Sequence, residues 1–499
     1  MRTTMRLIHR ILSNKLYVFI IGVLLLITLI NTAVIGYLTY KPKPLCDKCN
    51  VILISLDTLS ALHIPCYGYS RDTSPNLCAF AKNNILFSNS YSESNWTLAS
   101  DFSNFTSLYP YVNQMTQPFG PPLNEKYLTL AQVFRQNGYQ TILNVIPVDV
   151  FNIPLQRGIA RGFNIIQSPD VNDLWTNSYP ELLKSAKENR PFFAYFHTYY
   201  VHSPYLTGHE SRHLYTNQPE YPNIPLTPEE YHTVTPEFLQ FLPSDIASKY
   251  AFLGKIDNGI TLTLEKIIQT KDINRIKNLF ESLPDLDKLV FFDDYYHARI
   301  SLNNKNQVHY VEALYDEKIF DLDQNLKGLF DFIDNSPLLK NNTIVVITSE
   351  HGEEFMEHGN FQHGVDLYKT NTFVPLIMRV PGIKNKVITN LVQGIDIYPT
   401  VLGLTGLSPL SPIQGLDLTG LIRGDKNAKT NKFVLSENTV YPPEYAIQSK
   451  NWRLYYVPDN GHKELYNLTL DPVEQNNVAS ANPGIVDQLT KMLLTNEQN

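Results

Sequence analysis

Cysteine is scarce, with four in 499 residues. That excludes a disulfide scaffold, the device of small secreted domains that lack a core. The C-x-x-C of Cys46-Asp47-Lys48-Cys49 has no second copy, which speaks against a four-cysteine zinc site, and nothing thioredoxin-like surrounds it. Basic residues show no excess. Lys plus Arg is 41 against 48 Asp plus Glu, a net charge of −7, which excludes a basic nucleic-acid-binding module. Only 18% of residues are charged and 43% are hydrophobic, so the chain is not disordered and builds a sizeable core. Internal repeats and low-complexity tracts are absent, which excludes solenoids and arrays. The length fits two to four domains at roughly 100–200 residues each, or one large domain with appendages.

Long hydrophobic runs are missing too, with one exception. Leu16 to Tyr40 holds no charged residue. As a helix it would span about 37 Å, against a bilayer core of about 30 Å. Arg2, Arg6, Arg10 and Lys15 precede it, and Lys41, Lys43 and Lys48 follow. The predicted order is a cytoplasmic tail over 1–15, a transmembrane anchor over 16–40, and an extracytoplasmic bulk. A cleaved signal peptide fits less well, because the run is long and no A-x-A site closes it. The four cysteines, including Cys66 and Cys78, are expected as structural disulfides in an oxidising compartment, with three pairings open.

Beyond the anchor, short apolar runs recur at Asn50–Leu56, Thr141–Ile146, Phe192–His197 and Thr343–Thr348. Each reads as a strand buried on both faces. Helical patterns at Leu128–Asn137 and Tyr310–Asp334 stand between them, so the expected fold is α/β with a mainly parallel sheet. Residues 41–430 form the predicted catalytic domain, with an insertion over 206–307 that is rich in Pro, Tyr and charge. From about residue 431 to 499 the pattern changes to short alternating runs, a Pro458–Gly461 turn and a helix from Pro483 to Leu494. That predicts a small antiparallel subdomain.

In parallel sheets the chemistry sits at carboxyl ends of strands. Asp57 ends the first run, and Ser349-Glu350-His351-Gly352-Glu353-Glu354 follows the last. An acid and an imidazole at adjacent strand ends present hard oxygen and nitrogen to one divalent ion. Taken singly, each is an ordinary solvated loop residue. Thr97, in Asn95-Trp96-Thr97-Leu98-Ala99-Ser100-Asp101, stands at a helix start, where N–H groups favour an anion and where a plain N-cap is the simpler reading.

This set resembles the sulfatase family of the alkaline phosphatase superfamily. The resemblance is carried by Asn50–Leu59, Cys66-Tyr-Gly-Tyr69, Thr73-Ser-Pro-Asn76, Thr97-x-x-Ser100 with Ser107-Leu-Tyr-Pro110, and His202-Ser-Pro-Tyr205. It continues in Ser349–Glu353, His363-Gly-x-x-Leu-Tyr368, Val374–Ile377, Asp396–Thr400, Glu464–Leu468 and Asp471–Gln475. It implies an alkaline-phosphatase-like fold and a metal-dependent hydrolase of sulfuric or phosphoric esters. By that resemblance Asp57, Thr97, Glu350 and His351 hold one divalent ion (Ca, Mn or Zn). Thr97 is the nucleophile, and His202 and His363 attend the leaving group or the anion's oxygens. The implied substrate is a small-molecule, glycan or lipid ester.

Four positions depart from the family pattern. Thr97 stands where sulfatases carry the Cys or Ser that becomes formylglycine, and oxidation of its carbinol would give a ketone. Ala99 replaces a Pro, Asp101 stands where an Arg is expected, and Glu350 replaces an Asp. Threonine nucleophiles occur in membrane-anchored phospho-transferring branches of the superfamily, which raises phosphoethanolamine or phosphoglycerol transfer as an alternative; a non-catalytic binding protein is another. The Asp-x-x-x-His of two-metal relatives is incomplete, because Asp316 is followed at that spacing by Phe320. His358 is a weaker candidate. Four Asn-x-Thr sequons, beginning at Asn95 and Asn104, are read as chance matches. The segment 41–499 holds 37 basic and 48 acidic residues, a net of −11, which favours a small or weakly charged ester over a polyanion.

Overall fold

The strands follow, in chain order, as β1 (Asn50–Leu56), β2 (Ile85–Phe87), β3 (Ser90–Tyr91), β4 (Gln140–Val145), β5 (Ile165–Gln167), β6 (Phe192–Thr198) and β7 (Thr343–Thr348). They continue as β8 (Leu376–Arg379), β9 (Lys386–Ile388), β10 (Val392–Gln393), β11 (Phe433–Asn438), β12 (Glu444–Ser449), β13 (Trp452–Val457) and β14 (His462–Asn467). This is a computed structural model. It describes residues 43–116, 121–145, 157–168, 174–203, 213–221, 301–438 and 443–497, with isolated positions 19, 23, 155 and 205. The expected anchor at 16–40 and most of the 206–307 insertion lie outside the described residues. Among the described residues no helix is long and apolar enough to cross a membrane.

Eight strands form one sheet in the order β5-β4-β6-β1-β7-β8-β2-β9. Five of its pairings are parallel, and only β7–β8 and β8–β2 are antiparallel. The four runs read from the sequence are the adjacent strands β4, β6, β1 and β7. Every residue of β1, β6 and β7 is buried, which is why they appear as unbroken apolar runs.

The strand period of two splits the core. Val51, Leu53, Phe193, Tyr195, Ile344 and Val346 face one side, against α2 (Thr97–Thr106), α3 (Leu130–Gln136) and α6 (Ile397–Thr405). Ile52, Ile54, Phe192, Phe196, Val345 and Ile347 face the other, against α1 (Pro75–Asn83), α4 (Tyr179–Lys187) and α5 (Lys305–Asn335). Thr129 caps α3 through a reciprocal box with Gln132, and the Asn304 side chain caps α5. The α5 helix starts five residues before the apolar pattern does, because its polar first turn is set by that cap.

The C-terminal strands β11-β12-β13-β14 form an antiparallel meander packed on α7 (Pro483–Glu497) through Leu435, Ile447, Leu454, Leu465, Val486, Leu489 and Leu493. Residues Leu45–Asn499 cluster as one compact unit that includes this small sheet. Strand β14 was not anticipated, because its sequence His462-Lys-Glu-Leu-Tyr-Asn467 begins with charged residues. The cysteines pair as Cys46–Cys49 and Cys66–Cys78.

Candidate active site

The site forms where the parallel strands β6, β1 and β7 end side by side. Asp57 follows β1, Glu350 and His351 follow β7, and Thr97 opens α2. Three atoms from three elements make a near-equilateral triangle. Thr97 Oγ1 lies 3.4 Å from Asp57 Oδ1 and 3.3 Å from His351 Nε2, and Asp57 Oδ1 lies 3.4 Å from His351 Nε2. Trp96 is the N-cap and supplies no side-chain cap, so Thr97 is not the N-cap of the simpler reading.

Tight local structure holds these groups. Thr58 adopts the left-handed conformation at φ 59°, turning the chain sharply after Asp57. Tyr315 of α5 fixes that turn, donating to Thr58 O at 2.6 Å and accepting from Ser60 N at 3.0 Å. Ser349 ties the two ligand loops together, accepting from Leu59 N and donating to His351 O. Only glycine fits at 352, since a Cβ there would stand 2.0 Å from Thr370 O. The loop before Thr97 is braced by β11, through Glu437 N to Glu93 O (2.8 Å) and Ser94 Oγ to Glu437 O (2.8 Å).

His351 Nδ1 donates to the carbonyl of Gly352 at 3.0 Å, which places the Nε2 lone pair on the triangle. Burial, then the neighbouring His363, holds the His351 imidazole well below its ordinary value, so it is neutral. Burial, then the Glu350 carboxylate, raises Asp57 well above the carboxylate range, and its Oδ2 is buried without a hydrogen-bond partner.

A divalent cation, which members of this fold generally bind, fits these residues. A tetrahedral ion with bonds of about 2.1 Å has ligand edges of about 3.4 Å, the size of the triangle. The donors are hard oxygen and one imidazole nitrogen, and an orphaned carboxylate oxygen lies beside them.

Glu350 takes a different partner from the one the resemblance implies. Its Oε1 pairs with His197 Nε2 at 2.8 Å, and His197 Nε2 is also 3.8 Å from Asp101 Oδ2. All three side chains are fully buried, and one ligand atom from each lies within 4.8 Å of the others, so this group too has the composition of a cation site. Burial alone would lower His197. The Glu350 carboxylate, with Asp101 and Asp57, instead raises it to about 9. Asp101 does not face the pocket, because Tyr195 donates to its Oδ1 at 2.7 Å. Its carboxylate is thus turned into the protein and not toward an anionic ester.

His363 and His202 gather at the same mouth. The His363 ring lies 4.3 Å from that of His351 and 5.1 Å from that of His202. Glu353 orients His363 through Nδ1 at 2.8 Å and accepts from Tyr205 at 2.8 Å. His202 Nδ1 donates to Ser203 O at 2.7 Å. His358 stacks on Tyr368 instead, with its Nε2 against the carbonyls of Val473 and Glu474. Asp316 serves a structural network of His63, Tyr69 and Arg71. Asn95 is fully buried and donates to Asp366 O, which leaves no room for a glycan there.

Sequence reasoning missed His197 and Tyr195, and it gave Glu353 no role beyond its place in the Ser349–Glu354 cluster. The signal for the first two was their spacing of two along β6, which puts both on the α2 face.

Carboxylate, hydroxyl and imidazole converging at the strand ends of a mainly parallel sheet mark the class of alkaline-phosphatase-like ester hydrolases. The chain belongs to the sulfatase family, whose model matches residues 49–407. A second model, N-sulphoglucosamine sulphohydrolase, C-terminal, matches residues 356–499. The chain is 29% identical to arylsulfatase K of Mus musculus over 42% of its own length and 40% of that protein. It thus matches less than half the length of that relative. Against arylsulfatase K of Gallus gallus it is 23% identical over 91% of its own length and 83% of that protein. The fold is similar to a solved structure in complex with its substrate D-glucosamine-2-N,6-O-disulfate, at a TM-score of 0.67 and 20% identity over 90% of this chain and 97% of that one. It is also similar to the phosphonate monoester hydrolase of Agrobacterium radiobacter, at 0.64 and 17% over 90% and 95%.

Proposed function

We propose that the chain is a metal-dependent ester hydrolase that uses Thr97 as nucleophile and acts on a phosphoric-type monoester or diester. The observation that carries this reading is the triangle of Asp57 Oδ1, Thr97 Oγ1 and His351 Nε2. A divalent cation bound by Asp57, Thr97, Glu350 and His351 would lower the hydroxyl's pKa and offset the buried carboxylates. Thr97 Oγ1, its proton released to solvent, would attack phosphorus as the bond to the leaving oxygen breaks, and the group would rest as an ester of Thr97. The N–H groups opening α2 face the charge that develops there. His202 and His363 stand where one can protonate the leaving oxygen and the other can hold a non-bridging oxygen. Water displaces the group from Thr97 and closes the cycle.

Phosphorus is favoured over sulfur because Thr97 cannot become formylglycine, and a plain sulfate ester of threonine has no geminal hydroxyl to expel it. Residues 16–40 are proposed to anchor the catalytic unit outside the cytoplasm, a reading supported by both disulfides. The test is a panel of aryl phosphate, phosphodiester, phosphonate and sulfate esters with Mn²⁺, Zn²⁺ or Ca²⁺. Turnover of phosphorus esters is expected. Turnover confined to sulfate esters would overturn the choice of phosphorus, and turnover of none would overturn the enzyme reading.

A further inference from the structure

Glu350 has a buried support that reaches 249 residues back in the chain, to Asp101. Tyr195 donates to Asp101 Oδ1 at 2.7 Å, Asp101 Oδ2 lies 3.8 Å from His197 Nε2, and His197 Nε2 pairs with Glu350 Oε1 at 2.8 Å. Tyr195 and His197 are 1% exposed, and Asp101 and Glu350 are wholly buried. Ser55 also hydrogen-bonds the Glu350 carboxylate, and Asp57 Oδ2 is buried with no hydrogen-bond partner. Tyr195 and His197 share a face of β6, and His197 stands in register with Ser55 of β1, two residues before Asp57. The chain of contacts therefore runs from the α2 side of the sheet to the strand ends without touching solvent.

We propose that Tyr195, Asp101 and His197 are positioning residues, a buried strut that fixes the Glu350 carboxylate for the cation held with Asp57, Thr97 and His351. This rests on the reading of those four residues as the cation site. A glutamate arm has three torsions, and a carboxylate already pinned loses little further freedom when it binds a metal. The alternative, a second cation among Asp101, His197 and Glu350, competes with the 2.8 Å contact already closed between His197 and Glu350.

The test is Mn²⁺ binding to the metal-stripped full-length protein, measured by equilibrium dialysis with circular dichroism as the folding control. Wild type is expected to bind one equivalent. His197→Ala is expected to weaken binding about 10–100-fold, the usual effect of losing a partner that orients a ligand. His197→Gln, whose amide can still donate to Oε1, is expected to recover part of it, and Asp101→Asn is expected to weaken binding less. In a Glu350→Ala background, His197→Ala is expected to add nothing further. If His197→Ala does not fold, the Gln and Asn variants carry the same comparison. Unchanged Mn²⁺ affinity in folded variants, even with lowered thermal stability, would overturn the strut. So would losses that add fully in the Glu350→Ala background, or two equivalents in wild type with one lost in Asp101→Asn. Wild type binding no Mn²⁺ would overturn the cation site itself, and the strut with it.

Discussion

His351 Nε2 stands 3.3 Å from the hydroxyl of Thr97, 254 residues away in the chain. Its other ring nitrogen is committed to the Gly352 carbonyl. The pair joins the end of β7 to the start of α2, and it brings together two of the four proposed cation ligands, one of them the proposed nucleophile.

The hydroxyl, rather than the methyl group, carries the role assigned to Thr97. Thr97→Ala should lower kcat by at least about 1,000-fold while Mn²⁺ affinity falls far less. Thr97→Ser should keep measurable turnover. Comparable rates in the alanine variant would remove Thr97 from the chemistry.

Gly352 leaves no space for a side chain, since a Cβ would meet backbone at 2.0 Å. Gly352→Ala should displace the carbonyl that orients His351. The expected result is a stability loss of roughly 1–3 kcal/mol in chemical denaturation, with weaker Mn²⁺ binding. An alanine variant as stable as wild type would show that the loop gives way easily.

Away from the site, His63 pairs with buried Asp316 at 2.8 Å. Burial pushes the imidazole down, but the Asp316 carboxylate more than offsets it, and the net direction is up. A raised folded pKa means stability that is fully present below the unfolded value of about 6.5. It is lost as pH rises through the folded value. The difference in unfolding free energy between wild type and His63→Gln should therefore shrink above neutrality. A difference that grows with pH would contradict the pairing.

Cys66–Cys78 closes a loop of 12 residues beside the Tyr69–Asp316 network. Replacing both cysteines with serine should cost about 2–3 kcal/mol, measured by urea denaturation. The same change at Cys46–Cys49, three residues apart, should cost less. Equal losses would show that loop closure does not set the difference.

Much of this fold is written in local pattern. Strands β1, β4, β6 and β7 are apolar on both faces, so the central four strands stand out, and Asp57 and Glu350-His351 follow from where two of them end. The strut does not stand out. His197 closes an apolar strand and looks like any core histidine until Asp101, 96 residues earlier, and Glu350, 153 residues later, are brought beside it. Asp101 shows the same limit in reverse. An acid four residues after Thr97 reads as a charge that repels an anionic ester, but the Tyr195 hydroxyl, which no local pattern ties to it, turns it inward. Strand β14 was lost because an edge strand facing water keeps charged residues.

The most direct test of the central claim is to quench turnover of a phosphate ester and locate the covalent group by accurate-mass peptide mapping. One phosphoryl group is expected on the peptide that contains Thr97, absent from Thr97→Ala. Steady turnover with no modified peptide, or with the group on another residue, would contradict it.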